Sequence, residues 1–193
     1  MIGSDKGGNL IGRLLRPDPN AATARRLYEA IVAQARQPVF FAELEVPDTI
    51  DGRYEMVALH AHLLLRRLKD GGAATAGLAQ ALFDVMFADM DASLREMGAG
   101  DLGVGRRVKQ MATGFYGRVA AYDAGLADGG DALGRALRRN LFGTVTPSAA
   151  AVQVMADYAG RTASLLAVQP LERLAGGAVS FAPVRTGEAA KNH

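Results

Sequence analysis

The segment FDVMFADMDASLREMGAGDLGVGRRVKQMATGFYGRVAAY, from Phe83 to Tyr122, decides the fold of this chain. Apolar residues recur three or four positions apart on both sides of a glycine-rich turn, which is the spacing of two amphipathic helices. The apolar positions before the turn are Phe83, Met86, Phe87, Met90, Leu94 and Met97, and those after it are Val104, Val108, Met111, Phe115, Val119, Tyr122 and Leu126. No catalytic set of residues lies between these stripes, so the segment indicates a helical binding protein rather than an enzyme.

The methionine and phenylalanine stripe before the turn has two interpretations. Apolar stripes of this kind form the core of most helical proteins. Methionine side chains also adapt to irregular partners, and adaptable apolar grooves suit a protein that holds another polypeptide. The sequence leaves both interpretations open.

The composition is that of one globular domain. The 193 residues are 49% hydrophobic and 22% charged, with a formal net charge of +2, which gives no dominant field for binding DNA. The absence of cysteine excludes disulfides, thiolate metal sites and a thiol nucleophile. The N-terminus lacks the apolar run of a signal peptide, and the longest uncharged stretch, Leu141 to Ala156, is too short to span a membrane. We therefore expect a cytoplasmic protein.

Helical periodicity continues along most of the chain. A proline-bounded stretch from Val39 to Pro47 is predicted to be an irregular connector, and Asp48 and Asp51 are expected to cap the helix that follows. The predicted helices are Asn20–Gln37, Gly52–Lys69, Ala73–Met97, Asp101–Asp128, Asp131–Asn140 and one that begins at Thr146-Pro147 and ends near Val168. The prediction is an all-α fold, a single compact domain of about six helices within residues 20–170. Residues 1–19 are expected to be flexible, and residues 171–193 to form a loosely ordered tail.

Two motifs that resemble ligand sites have ordinary structural interpretations. Residues 98–103 match G-x-G-x-x-G, but a helix rather than a strand precedes them, so the glycines indicate a sharp turn between packed helices. His60 and His62 are two residues apart on a helix and point to nearly opposite sides, so they cannot share a metal ion. The chain also lacks a nucleophile elbow and a P-loop. We predict no catalytic residue, no metal site and no cofactor.

Two segments together resemble a known family. VPDTIDGRYEMVALHAHLLLRRL, from Val46 to Leu68, and the segment from Phe83 to Tyr122 are similar to the ubiquinol–cytochrome c chaperone family, and the similarity extends from about Leu27 to Ala167. The resemblance implies a helical, non-enzymatic assembly factor of the respiratory cytochrome bc complex (complex III). Such a factor binds newly made cytochrome b and stabilises it before and during haem acquisition. The resemblance also implies peripheral contact with the inner membrane, and mitochondrial members work with a small partner protein and near the ribosome.

The residues that match the family suggest a client-binding site. Cations in the first turns of helices are disfavoured by the helix dipole, so they are expected to serve a partner or an acidic neighbour. Our hypothesis is a groove lined by Tyr54, Phe115 and Tyr116 and flanked by such cations. The full set of predicted client-binding residues is Arg53, Tyr54, Asp101, Gly103, Gly105, Arg106, Arg107, Lys109, Phe115 and Tyr116. A short amphipathic turn near the N-terminus offers a second membrane contact, through Leu10, Ile11, Leu14 and Leu15 with Arg13 and Arg16.

Two other classes of function stay open at this stage. A helical protein that binds a quinone, an isoprenoid or haem, or that acts on it, would need a deep apolar pocket with converging polar groups, whereas a chaperone would present a shallow groove. Contact with RNA or the ribosome would use the arginine clusters and would depend steeply on salt. The clusters are Arg66, Arg67 and Lys69; Arg106, Arg107 and Lys109; and Arg135, Arg138 and Arg139.

Overall fold

A central helix organises the fold. The computed structural model describes residues 18–96, 101–129 and 131–186, apart from the side chains of residues 101 and 102. Within these ranges the elements are α1 (Ala21–Ala35), α2 (Pro38–Ala42), α3 (Ile50–Lys69), α4 (Ala73–Glu96), α5 (Asp101–Asp128), α6 (Ala132–Asn140), α7 (Ala149–Val168) and α8 (Leu171–Ala175). In α3, 13 of the 20 residues are buried, while α1, α4 and α7 pack around it. The described part contains no strand, which confirms the all-α prediction.

The helix α3 begins at a threonine cap. The Thr49 hydroxyl accepts a hydrogen bond from the Gly52 backbone N–H at 3.1 Å, which satisfies one of the free donors of the first turn. The prediction that aspartates cap this helix is therefore wrong. Asp48 instead accepts from the guanidinium of Arg53 at 2.6 Å. The last long helix, α7, is likewise capped by Ser148 and not by Thr146-Pro147.

The segment between α1 and α3 contains a short helix that the sequence analysis did not predict. Gln37 is extended, as residues before proline usually are, and Pro38 then begins α2 at the position where a missing N–H costs nothing. The helix is fixed by burial of Phe40, whose ring lies 5.1 Å from that of Tyr158 and 5.8 Å from that of His60. Between α1 and α3, residues 36–37 and 43–49 lie outside the helices.

The segment after α7 packs against the helices. Leu174 in α8 is fully buried, and the Gln169 amide exchanges two hydrogen bonds with the Ser180 backbone, at 2.8 and 2.9 Å. The ring of Phe181 lies 5.3 Å from that of His60. The expectation of a loose tail is wrong for residues 171–186, because apolar contacts with the core hold them. Residues 187–193 lie outside the described part.

The amphipathic turn proposed as a membrane contact, Leu10 to Arg16, lies outside the described residues. Within the described ranges, no helix has the length and apolar character needed to cross a bilayer.

Candidate functional site

Polar contacts join α3 and α5 along most of their length. The Arg107 Nη2 lies 3.3 Å from the Asp51 Oδ1, and the Tyr54 hydroxyl donates to the Met111 carbonyl at 3.1 Å. Further along, Arg118 contacts Glu55, and the Arg66 Nη1 lies 3.1 Å from the Asp123 Oδ1. The contacts advance in the same direction on both helices, so α3 and α5 run parallel, side by side. We refer to these contacts as the α3–α5 seam.

A buried ion pair holds the middle of this seam. Glu55 is only 6% exposed, and its carboxylate accepts two hydrogen bonds from Arg118, with the Nε–Oε2 distance at 2.6 Å. Burial raises the pKa of Glu55, and the hydrogen bonds from Arg118 oppose this effect. The guanidinium also lies over the ring of Tyr54, 5.5 Å from its centroid. The pair is thus a structural contact between helices, since both charges are matched within the fold.

The histidines of α3 are both buried. His60 Nδ1 lies 2.7 Å from the Met56 carbonyl and therefore carries the hydrogen, so Nε2 accepts from the Tyr158 hydroxyl at 2.6 Å. Burial lowers the pKa of His60 to about 4, and it does the same to His62 despite the nearby Asp123 carboxylate. Both ring nitrogens of His60 are occupied, so this side chain packs as a neutral core residue.

An open groove lies between α1, α3, α4 and the first half of α5. We call it the methionine groove because Met90 and Met111 are among its lining residues. Its volume is about 190 Å³, and Ile50 at its mouth is 53% exposed. The residues that line it are Tyr28, Arg36, Ile50, Arg53, Tyr54, Val57, Asp89, Met90, Ser93, Leu94 and Met111. The groove is thus mainly apolar, and its charged lining residues are the cations Arg36 and Arg53 and the carboxylate Asp89, which accepts a hydrogen bond from Tyr28.

A second groove lies on the other side of α5. Tyr116 is 63% exposed there, and its ring lies 5.8 Å from that of Phe83. We call this the tyrosine groove; it has a volume of about 370 Å³ and is lined by Leu65, Leu68, Lys69, Gly72, Ala76, Ala79, Gln80, Phe83 and Tyr116. The helix α5 therefore separates two apolar grooves.

The aromatic residues predicted to line one groove do not lie together. Tyr54 faces the methionine groove, whereas Tyr116 faces the tyrosine groove. Phe115 is only 2% exposed and packs in the core between Phe83 and Phe87, with ring centroids 5.9 and 6.2 Å away. The hypothesis of a single groove lined by these three residues is wrong, because neighbouring positions on a helix face different directions.

The predicted cations fall into two groups. Arg53 and Arg107 are paired within the fold, with Asp48 and Asp51 respectively, so an acidic neighbour accounts for both. The other two predicted cations, Arg106 and Lys109, are exposed and form no ion pair with any described side chain. Of the other predicted residues, Gly103 and Gly105 are exposed in the first turns of α5, where an added Cβ would meet nothing within 4 Å. The side chain of Asp101 lies outside the described part.

Several residues of the methionine groove were not among the predicted client-binding residues. Met90 and Met111 were visible as members of apolar stripes, and their softness was the signal for an adaptable surface. Arg36 and Ile50 had no such signal, because their roles depend on α1 and α3 meeting at the groove. Arg36 has no ion pair to any described side chain and adjoins the methionine groove as well as two neighbouring depressions.

Comparison with known proteins identifies the family. The ubiquinol-cytochrome C chaperone family profile matches residues 42–181. Ubiquinol-cytochrome-c reductase complex assembly factor 1 of Xenopus laevis is 24% identical over 143 residues, which are 74% of this chain and 72% of that protein. The human protein of that name is 24% identical over 83% of this chain, but the match spans only 54% of its length.

A solved structure extends this similarity to the whole fold. The crystal structure of the Cbp3 homolog from Brucella abortus has 43% sequence identity and a TM-score of 0.77, and the match covers 91% of this chain and 98% of that one. Together with the match over residues 42–181, this agreement shows that the chain belongs to the ubiquinol-cytochrome C chaperone family, a family of complex III assembly factors.

Proposed function

We propose that this protein is a non-enzymatic chaperone that binds newly made cytochrome b and stabilises it for assembly into complex III. The family and the names of its relatives support the assembly role. The observation that carries client binding is the methionine groove, which is mainly apolar and open and has the unpaired Arg36 among its lining residues. Methionine side chains can repack around the irregular surface of an incompletely folded membrane protein.

Charge supports the same proposal. An apolar client segment would occupy the groove beside Tyr54 and Ile50. The acidic loops of the client would face the unpaired Arg36 at its edge and Arg106 and Lys109 on α5. The proposal includes action in the cytoplasm at the inner membrane and contact with a small assembly partner or the ribosome.

The rival functions have less support within the described residues. The methionine groove is smaller than the roughly 300–1,000 Å³ that small-molecule pockets usually occupy. The tyrosine groove, at about 370 Å³, falls in that range, but both grooves are open rather than enclosed. The arginine clusters expected for RNA contact are partly neutralised within the fold, since Arg66 pairs with Asp123 at 3.1 Å and Arg135 with Asp131 at 3.6 Å. These pairs reduce the positive charge available to a phosphate backbone.

A pull-down from native membranes with the tagged protein tests the proposal at the groove. Ile50→Asp places a charge at the mouth of the groove, at an exposed first-turn position where an acidic residue suits the helix dipole. We expect wild type to enrich cytochrome b and Ile50→Asp to lose about four- to twelve-fold. Ile50 is half exposed, so its burial by the client contributes about half of the 1.5–3 kcal/mol of a full isoleucine burial. The matched control is Val145→Asp, 45% exposed in the turn between α6 and α7.

The cations of α5 are tested in the same assay. The double variant Arg106→Glu/Lys109→Glu is expected to weaken capture without unfolding the protein, since both side chains are exposed. Arg25→Glu on α1 reverses another exposed charge and serves as the control. If both variants capture cytochrome b as well as wild type does, Arg106 and Lys109 do not contact the client. Co-purification of a quinone or lipid in place of cytochrome b would favour the small-molecule function.

A further inference from the structure

The first half of α5 is weakly attached to the rest of the fold. Of residues 103–114 only Val104 is buried, and seven are exposed. Its polar contacts with α3 are one exposed ion pair, Arg107–Asp51, and one hydrogen bond from the Tyr54 hydroxyl to the Met111 carbonyl. Exposed ion pairs contribute little to stability. The apolar side of this half is only partly covered by the core.

The second half of α5 is held much more firmly. Arg118 makes the buried ion pair with Glu55, and Tyr122 is only 1% exposed. Gly125 lies so close to α6 that an added Cβ would stand 2.7 Å from the Leu133 Cα. The change from weak to firm attachment therefore lies between residues 114 and 118.

Glycines weaken the loosely attached half further. Gly103 and Gly105 are both exposed, and an added Cβ at either of them would meet nothing within 4 Å. No close packing requires glycine at these positions. Each one nevertheless lowers the helical preference of α5 about five-fold relative to alanine. The sequence thus reduces the stability of this half of the helix without any gain in packing.

The methionine groove is too small for a helix while α5 stays in place. Its volume of about 190 Å³ holds a few side chains, whereas a helix with side chains is about 10 Å across. Met111, in the weakly attached half of α5, forms one wall of the groove. We infer that residues 103–114 unfold locally and come away from α3 and α4, which widens the groove for an apolar helical segment of the client. This inference rests on the proposed function.

Hydrogen exchange of the free protein tests the opening without any client. In wild type, amides of residues 103–114 are expected to exchange faster than those of α3 and α7. The variant Gly103→Ala/Gly105→Ala should slow their exchange about 25-fold, from about five-fold for each substitution. Gly160→Ala in α7, also with nothing within 4 Å, is the matched control and should leave α5 unchanged. Exchange of residues 103–114 as slow as that of α3 would overturn the inference.

Capture of cytochrome b made in a cell-free reaction tests the link to the client. If binding requires the open state, affinity falls with its population, so the double alanine variant should capture cytochrome b up to about 25-fold less well. Gln110→Gly, at an exposed position in the same half, should do the reverse. Slower exchange with unchanged capture would contradict the link. If wild type captures no cytochrome b, the proposed function fails, and the exchange result still decides whether α5 opens.

Discussion

Replacement of Arg118 by methionine is expected to destabilise the fold by about 3–5 kcal/mol at neutral pH, the usual cost of breaking a buried ion pair. The Glu55 side chain is 8% exposed and accepts two hydrogen bonds from this guanidinium. Charge-assisted hydrogen bonds contribute about 1.5–3 kcal/mol each, which gives a loss of the same size. Methionine keeps an apolar stem beside the Tyr54 ring, so the variant removes mainly the charge.

The pH dependence of this loss has a definite sign. Burial raises the pKa of Glu55 above its ordinary value of 4.5, and Arg118 opposes that effect. Without the arginine, the folded-state pKa rises further. As the pH falls through this raised pKa, the folded variant takes up a proton and the buried charge disappears. The stability deficit of Arg118→Met should therefore shrink as the pH is lowered from 7 toward 5.

Urea denaturation followed by helical circular dichroism measures both effects. With an m-value of about 2 kcal/mol/M, the expected loss moves the midpoint down by about 2 M at neutral pH. The control is Glu55→Met/Arg118→Met, which removes both charges and should lie within about 1 kcal/mol of wild type. A midpoint shift below about 0.5 M, or a double variant no more stable than Arg118→Met, would refute the reasoning.

Three further predictions concern α3. Gly52→Ala should lower the free energy of unfolding by about 3 kcal/mol, because the new Cβ would stand 2.0 Å from the Pro47 carbonyl oxygen. Thr49→Ala, which removes the cap, should lower it by only about 1 kcal/mol. Thermal denaturation measures both losses, and equal losses would contradict the clash. Burial lowers the pKa of His60 from 6.5 to about 4. The stability that neutral His60 contributes is therefore lost as the pH falls from 6.5 toward 4. His60→Gln should flatten the pH dependence of the unfolding free energy in this range. Tyr158→Phe should cost about 1–3 kcal/mol in urea denaturation, since the Nε2 of His60 loses its donor.

The long helices could be predicted from the sequence because each carries its apolar residues at helical spacing. Within the described residues, α5 spans the predicted Asp101–Asp128, and α4 spans Ala73–Glu96 and begins at the predicted Ala73. The short helix α2 could not be predicted, because five residues hold no periodicity and the burial of Phe40 against Tyr158 depends on distant segments. The same reason applies to the packed segment around Leu174, which has no pattern of its own.

The candidate site was only partly predictable. Arg53 lies five residues after Asp48, so their pairing could have been expected, but the pairing of Arg107 with Asp51 requires knowledge that α3 and α5 are neighbours. That Phe115 and Tyr116 face different directions could have been predicted from the sequence. Adjacent residues on a helix point about 100° apart. A phenylalanine in the apolar stripe therefore places the next residue outside it.

The position of α5 between two grooves decides how the client surface can be assigned. Met111 and Tyr116 are five residues apart, which places their side chains about 140° apart on the helix. Lys109, seven residues before Tyr116, shares the side of the tyrosine groove. Loss of cytochrome b capture in Ile50→Asp alone therefore points to the methionine groove, whereas loss in the charge-reversal variant alone points to the tyrosine side. Loss in both is expected if the client surrounds α5, and this outcome would agree with a helix whose first half moves to admit the client.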